Sequence, residues 1–171
     1  MSTKARIENG VVVEVLTADP FPPFHPSLHW VDCDLTVRAG WLFDGANFKI
    51  DPLALSAGQT SKKQQIDDWR DAACVSNVSV TLGGAAHQFQ ADQRSQALIS
   101  GAIVGAVAGI SAPPSIWRSV DNINVPITIA DLKAIGLAMV DQTNVAYEHS
   151  WALKAAVDAA ATQADLDAIV W

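Results

Sequence analysis

Residues 77–114, NVSVTLGGAAHQFQADQRSQALISGAIVGAVAGISAPP, decide the fold, because two hydrophobic periodicities meet in them. Val78, Val80 and Leu82 alternate with polar residues, Gly83-Gly84 permits a tight turn, and His87-Gln88-Phe89-Gln90 alternates again, which reads as a β-hairpin. Asp92 then stands where an N-cap should stand, directly before a helical run over residues 93–110 that the Pro113-Pro114 pair ends. A hairpin feeding a capped helix predicts an α+β chain. Asp92 could also be read as a catalytic or metal-binding acid, but no second carboxylate is near it in sequence.

Within that run Gly101, Gly105 and Gly109 recur every fourth residue and leave one helix face without side chains. Glycine inside a helix costs about 1 kcal/mol relative to alanine, so three in register call for a compensating close approach. A neighbouring helix of the same domain is the expected partner, with the same helix of another subunit as the alternative. The run is too short, and too rich in Gly and Ala, for the ~20 apolar residues of a membrane-spanning helix.

Downstream, residues 115–119 and 123–126 flank the turn formers Asp121 and Asn122 and predict a further hairpin. Thr128 with Asp131 resembles a capping box and opens a long helix. Leu132, Ile135, Met139, Ala146, Leu153 and Val157 hold one of its faces in rough heptad spacing; Gln142-Thr143-Asn144 marks a possible bend. Gly101, Gly105, Gly109, Leu132, Ile135, Met139, Leu153 and Val157 are therefore the candidate helix-packing or subunit-interface residues. Asp92, Thr128 and Thr162 are the candidate structural caps, Thr162 with Asp165 opening a last short helix over residues 163–170. Trp171 follows as an apolar plug.

Upstream, Asn9-Gly10 between residues 5–8 and 11–16 is a two-residue hairpin signal, since a type I′ turn needs positive φ at both positions. Asp44-Gly45 repeats it between residues 41–43 and 46–50. Pro20, Pro22, Pro23 and Pro26 forbid helix and favour an extended crossing into a short strand over residues 28–33. The predicted organisation is an N-terminal β-module over 1–52, a linker over 53–63, and an α+β domain over 64–171. A helix is expected to begin near Thr60 or Ser61, with Ile66, Trp69 and Ala73 on its buried face.

The chain of 171 residues is half apolar and carries a net charge of -7, with Lys and Arg scattered along it. That composition suits a folded protein and argues against nucleic acid or an anionic membrane as partner. No apolar core suggests a secretory signal in residues 1–9. Cys33 and Cys74 fall in different modules and are expected as reduced thiols. His25 and His29 are separated by Pro26 and do not form a helical ligand pair; His87 alternates with Phe89 on a strand, and His149 lies in the long helix beside Glu148. Nucleophile elbows and phosphate-binding glycine loops are missing, and Glu8, Glu14 and Glu148 are the only glutamates. No catalytic residue, metal site or cofactor is expected.

Trp69-Arg70, Phe89 with Asp92, Arg94-Ser95-Gln96, Trp117 with Asp121-Asn122, Leu132, His149 and the Ala159, Thr162, Leu166, Trp171 ending carry a resemblance. Residues 66–171 resemble a domain of unknown function found in tail proteins of tailed bacteriophages, frequently at the C-terminus of short tail-fibre-associated chains. ARIENGVVVEVL, FHPSLHWVDC and GWLFDGANFKIDP are similar to the opening module of such chains. One departure is Asp71-Ala72-Ala73-Cys74-Val75, where glycine is often expected before the first hairpin of that domain. The resemblance implies a non-enzymatic structural component of the tail, fibre- or baseplate-associated. It would bind other tail or fibre proteins, form a homo-oligomer and reside in the virion after synthesis in the bacterial cytoplasm. A fibre-assembly chaperone not retained in the virion is the alternative. A glycan-directed enzyme would have to use acids such as Asp92 or Asp121.

Overall fold

The computed structural model describes residues 1–171, an α+β chain of two compact units. The first comprises Met1–Lys62 with Ala159–Ala168, the second Lys63–Asp158 with Ile169–Trp171.

The first unit is built on a five-stranded antiparallel sheet of order β3-β1-β2-β4-β5. Its strands are β1 (Ser2–Glu8), β2 (Val11–Ala18), β3 (His29–Asp32), β4 (Leu42–Phe43) and β5 (Phe48–Lys49). Asn9 and Gly10 take φ of 52° and 78°, the conformation that a two-residue hairpin turn requires. Alternation along β1 buries Ala5 and Ile7 with Val12 and Val37 in a small core. The opposite face carries Arg6, which ion-pairs with Glu8 and Glu14. The second hairpin departs from its two-residue reading. Its loop spans Asp44 to Asn47, and Asp44 holds it by accepting the backbone N–H groups of Ala46 and Asn47.

The expected linker is helical. Helix α1 (Pro52–Cys74) begins eight residues before Thr60, because Asp51 accepts the Leu53 N–H as a cap and Pro52 occupies the first helical position. It runs on through Ala73, as the stripe of Ile66, Trp69 and Ala73 predicts, and so includes Asp71 to Cys74, where the resemblance often has glycine. At Gly58 it meets α4 (Gln163–Asp167) so closely that a Cβ would lie 3.1 Å from Leu166. Leu166 is fully buried, and Thr162 with Asp165 forms a complete capping box at the start of α4. The chain's last helix thus belongs to the first unit, and it is shorter than the sequence suggested.

In the second unit, β6 (Val78–Leu82) pairs with β7 (Ala85–Phe89), and β8 (Ile116–Arg118) with β9 (Asn124–Pro126), both antiparallel. They pack with α2 (Gln93–Val107) and α3 (Ile129–Ala159). The core joins Val78, Leu82, Phe89 and Val125 from the strands to Ile99, Leu132, Ile135 and Met139 from the helices. α3 is one uninterrupted helix, opened by reciprocal bonds between Thr128 and Asp131. The polar Gln142 does not break it. Its side chain donates to the carbonyls of Ala73 and Ser76, satisfying groups at the end of α1.

Candidate protein-binding surface

One apolar surface that intramolecular packing leaves open lies on α2 and α3. Asp92 sets the start of α2 by accepting the N–H groups of Arg94 and Ser95 and the Ser95 hydroxyl. These hydrogen bonds, the Ser95 hydroxyl foremost, hold its carboxyl below the usual carboxylate range. At the other end Gly109 adopts φ of 69°. The Ile110 N–H bonds to the Gly105 carbonyl and the Gly109 N–H to that of Ala106, which is a Schellman closure. Gly109 is therefore a helix stop and lies outside α2.

The expected glycine ridge is thereby corrected. A Cβ on Gly101 would meet nothing within 4 Å, and one on Gly105 would meet only the Ser111 side chain of the following turn. No neighbouring helix of the same unit approaches them. The close approach is made by a glycine that the spacing argument passed over: a Cβ on Gly136 of α3 would lie 3.1 Å from Ile103 and 3.5 Å from Ile99. The heptad residues divide likewise. Leu132, Ile135, Met139 and Val157 are buried within the unit and Leu153 is half-buried, so helix packing is what they supply.

A groove of about 260 Å³ separates α2 from α3, lined by Gln96, Ile99 and Ser100 on one side and Gly136, Met139, Val140, Thr143 and Asn144 on the other. Ile99 and Ile103 face Gly136 while Gln96 and Ser100 share the groove with Val140 and Thr143, so the helices run antiparallel. Val104 follows Ser100 by one turn and Leu137 precedes Val140 by one turn. In an antiparallel pair both steps go the same way along the groove. Val104, Leu137 and Val140 are 64%, 62% and 53% exposed, with Leu98 and Val107 also more than half exposed on α2. No Asp, Glu, Lys or Arg occurs between Arg94 and Arg118, so the outward face of α2 is neutral in an acidic chain.

The signpost residues have structural work. Arg70 ion-pairs with Asp67 and Asp71 and lies 4.8 Å from the Tyr147 ring centre. Asp67 also receives Lys154 at 2.6 Å, and this hydrogen bond is the main reason its carboxyl titrates low. His149 meets Trp171 edge-on at 4.7 Å, and Trp171 lies 6.4 Å from Trp69. The C-terminal Trp is a partial plug, since it stays 42% exposed. Gln96 donates to the carbonyls of Cys74 and Ala91, and Asn122 adopts φ of 61° in the β8–β9 turn. Asp121 is exposed in the same turn. His25 bonds locally to Ser27; Cys33 and Cys74 are free thiols. Burial, and then Asp34 and Asp32, push the Cys33 thiol up. No three His, Cys, Asp or Glu side chains gather as a metal site, and no helix is long and apolar enough to cross a membrane.

A family model described as a domain of unknown function, DUF4376, matches residues 57–170. The chain belongs to the DUF4376 family. The match covers all the signposts from Trp69 to Leu166 and both helices of the apolar face. No curated protein matches the sequence.

Proposed function

We propose that this DUF4376 protein is a non-enzymatic structural component of a bacteriophage tail, fibre- or baseplate-associated, that works by binding protein, including further copies of itself. The tail assignment rests on the sequence resemblance. The binding mode rests on one observation: α2 and α3 present Val104, Val107, Leu137 and Val140 outward on the side of the groove between them. Contiguous exposed apolar surface of this kind marks interaction sites.

The neutrality of α2 supports self-association. Two chains of charge -7 repel wherever acidic surfaces meet, whereas the neutral face can approach its copy without that cost. Covering a half-exposed Val or Leu contributes about 1 kcal/mol, so four per copy give on the order of 8 kcal/mol per symmetric pair. Association itself costs about 4–15 kcal/mol. The face alone therefore holds copies only weakly, which suits a subunit whose neighbours are held at high local concentration by the rest of an assembly.

Quantitative mass spectrometry of purified phage particles that encode this chain tests the reading. The expected result is a fixed, nonzero copy number relative to the major tail protein, reduced at least tenfold by Val104→Asp. Absence from particles, with the chain found in infected-cell lysate bound to fibre protein, would overturn the structural role and make the chain an assembly chaperone.

A further inference from the structure

The first unit carries an open pocket of about 520 Å³ that shares no residue with the α2–α3 surface. Its apolar walls include Trp41, Ile50 and Leu55, and its charged groups are Arg38, Asp51 and Asp167. We propose that this pocket is a docking site for an arginine side chain of a partner protein.

Three observations carry the choice of occupant. The pocket has the size and mostly apolar lining of a ligand site with a few placed polar groups. Its walls are pre-formed: the Val12 N–H bonds to the Trp41 carbonyl at 2.8 Å, the Gly40 N–H to the Val12 carbonyl at 2.7 Å, and the Trp41 N–H to the Arg38 carbonyl. The loop that carries Trp41 is thus tied to β2.

The charges are complementary to a cation. Asp51 uses Oδ1 to cap α1, and Asp167 uses Oδ1 to accept from Gln163 at 2.8 Å, so each keeps Oδ2 for an incoming donor. Arg38 turns Nη1 to the carbonyls of Leu35 and Val37, leaving two carboxylates against one engaged cation. An arginine suits all three features. Its methylene stem packs on Leu55 and Ile50, its guanidinium lies against the Trp41 ring, and its fork reaches carboxylate oxygen.

The test is NMR titration of the full ¹⁵N-labelled chain with a capped tripeptide of arginine between two leucines, and with its citrulline counterpart. The citrulline peptide keeps shape and hydrogen bonding but lacks the charge. The arginine peptide should move the Trp41 indole and Leu55 amide signals with at least tenfold lower Kd. In the Asp51→Asn, Asp167→Asn double variant that preference should fall below twofold in a folded protein, because Asn caps α1 as well as Asp does and can accept from Gln163. Equal affinity for the two peptides, shifts that map elsewhere, or none at millimolar peptide would overturn the site. Tighter binding of free spermidine than of the peptide would overturn a protein segment as its occupant.

Discussion

Gly101, Gly109 and Gly136 are the same residue type under three different constraints. Gly101 has open space where a side chain would be, Gly109 has a positive φ, and Gly136 has Ile99 and Ile103 against it. Spacing groups the first two and ignores the third, because sequence records where a glycine is along a helix and not what faces it. Substitution separates them. Gly101→Ala should stabilise the chain by about 1 kcal/mol, since it removes a helix penalty and meets nothing. Gly109→Ala should destabilise it by about 1–2 kcal/mol, since alanine in the left-handed region crowds its own carbonyl. Urea unfolding of the two variants beside the parent measures both. A destabilising Gly101→Ala would mean that an unrecognised neighbour already occupies that face.

At the scale of elements, most signals confined to a few consecutive residues were legible, Asp44-Gly45 and Asp51-Pro52 excepted, and those completed across the chain were not. Asn9-Gly10, Gly83-Gly84, Asp92 and the Thr128 and Thr162 boxes act within one turn, and all stand where the sequence placed them. The start of α1 was missed because its first turns carry no apolar stripe; Asp51-Pro52 was the local signal for it. Gly58 rests on Leu166, a contact between residues more than a hundred positions apart. Of the candidate interface residues, spacing found the buried stripe of α3. It could not find the exposed one, since Leu137 and Val140 are as apolar as Leu132 and Met139.

Gln142 shows the same limit, as it reads locally as a helix interruption and acts as a donor to another helix. Replacing it with Leu takes a donor from the exposed Ser76 carbonyl, while the Ala73 carbonyl keeps the Ser76 N–H and hydroxyl, and should cost roughly 0.5–1.5 kcal/mol. Glu in its place should be worse at neutral pH, since a carboxylate cannot donate and would face those carbonyls. Hydrogen exchange at the C-terminal end of α1 would rise in both variants. Unchanged protection there would show that Gln142 is dispensable.

Across the whole molecule the acids that organise local structure share one direction of titration. Hydrogen bonding holds Asp44 and Asp165 in the first unit, and Asp92 and Asp131 in the second, below the ordinary carboxylate value; Asp67 is held low chiefly by Lys154. A carboxyl whose folded pKa lies below its unfolded value of about 3.9 adds stability above that value and loses it as the pH falls through the folded one. Both units should therefore weaken together below about pH 4. The sequence isoelectric point is about 4.8, where net repulsion vanishes while these bonds remain intact. Self-association through the neutral α2 face should consequently peak near pH 4.8 with the fold retained, and unfolding should follow only at lower pH. Light scattering and circular dichroism recorded on one titration from pH 7 to pH 2 separate the two events. If helix content falls together with the rise in scattering near pH 4.8, the capping carboxylates do not set the acid limit and association is a consequence of unfolding.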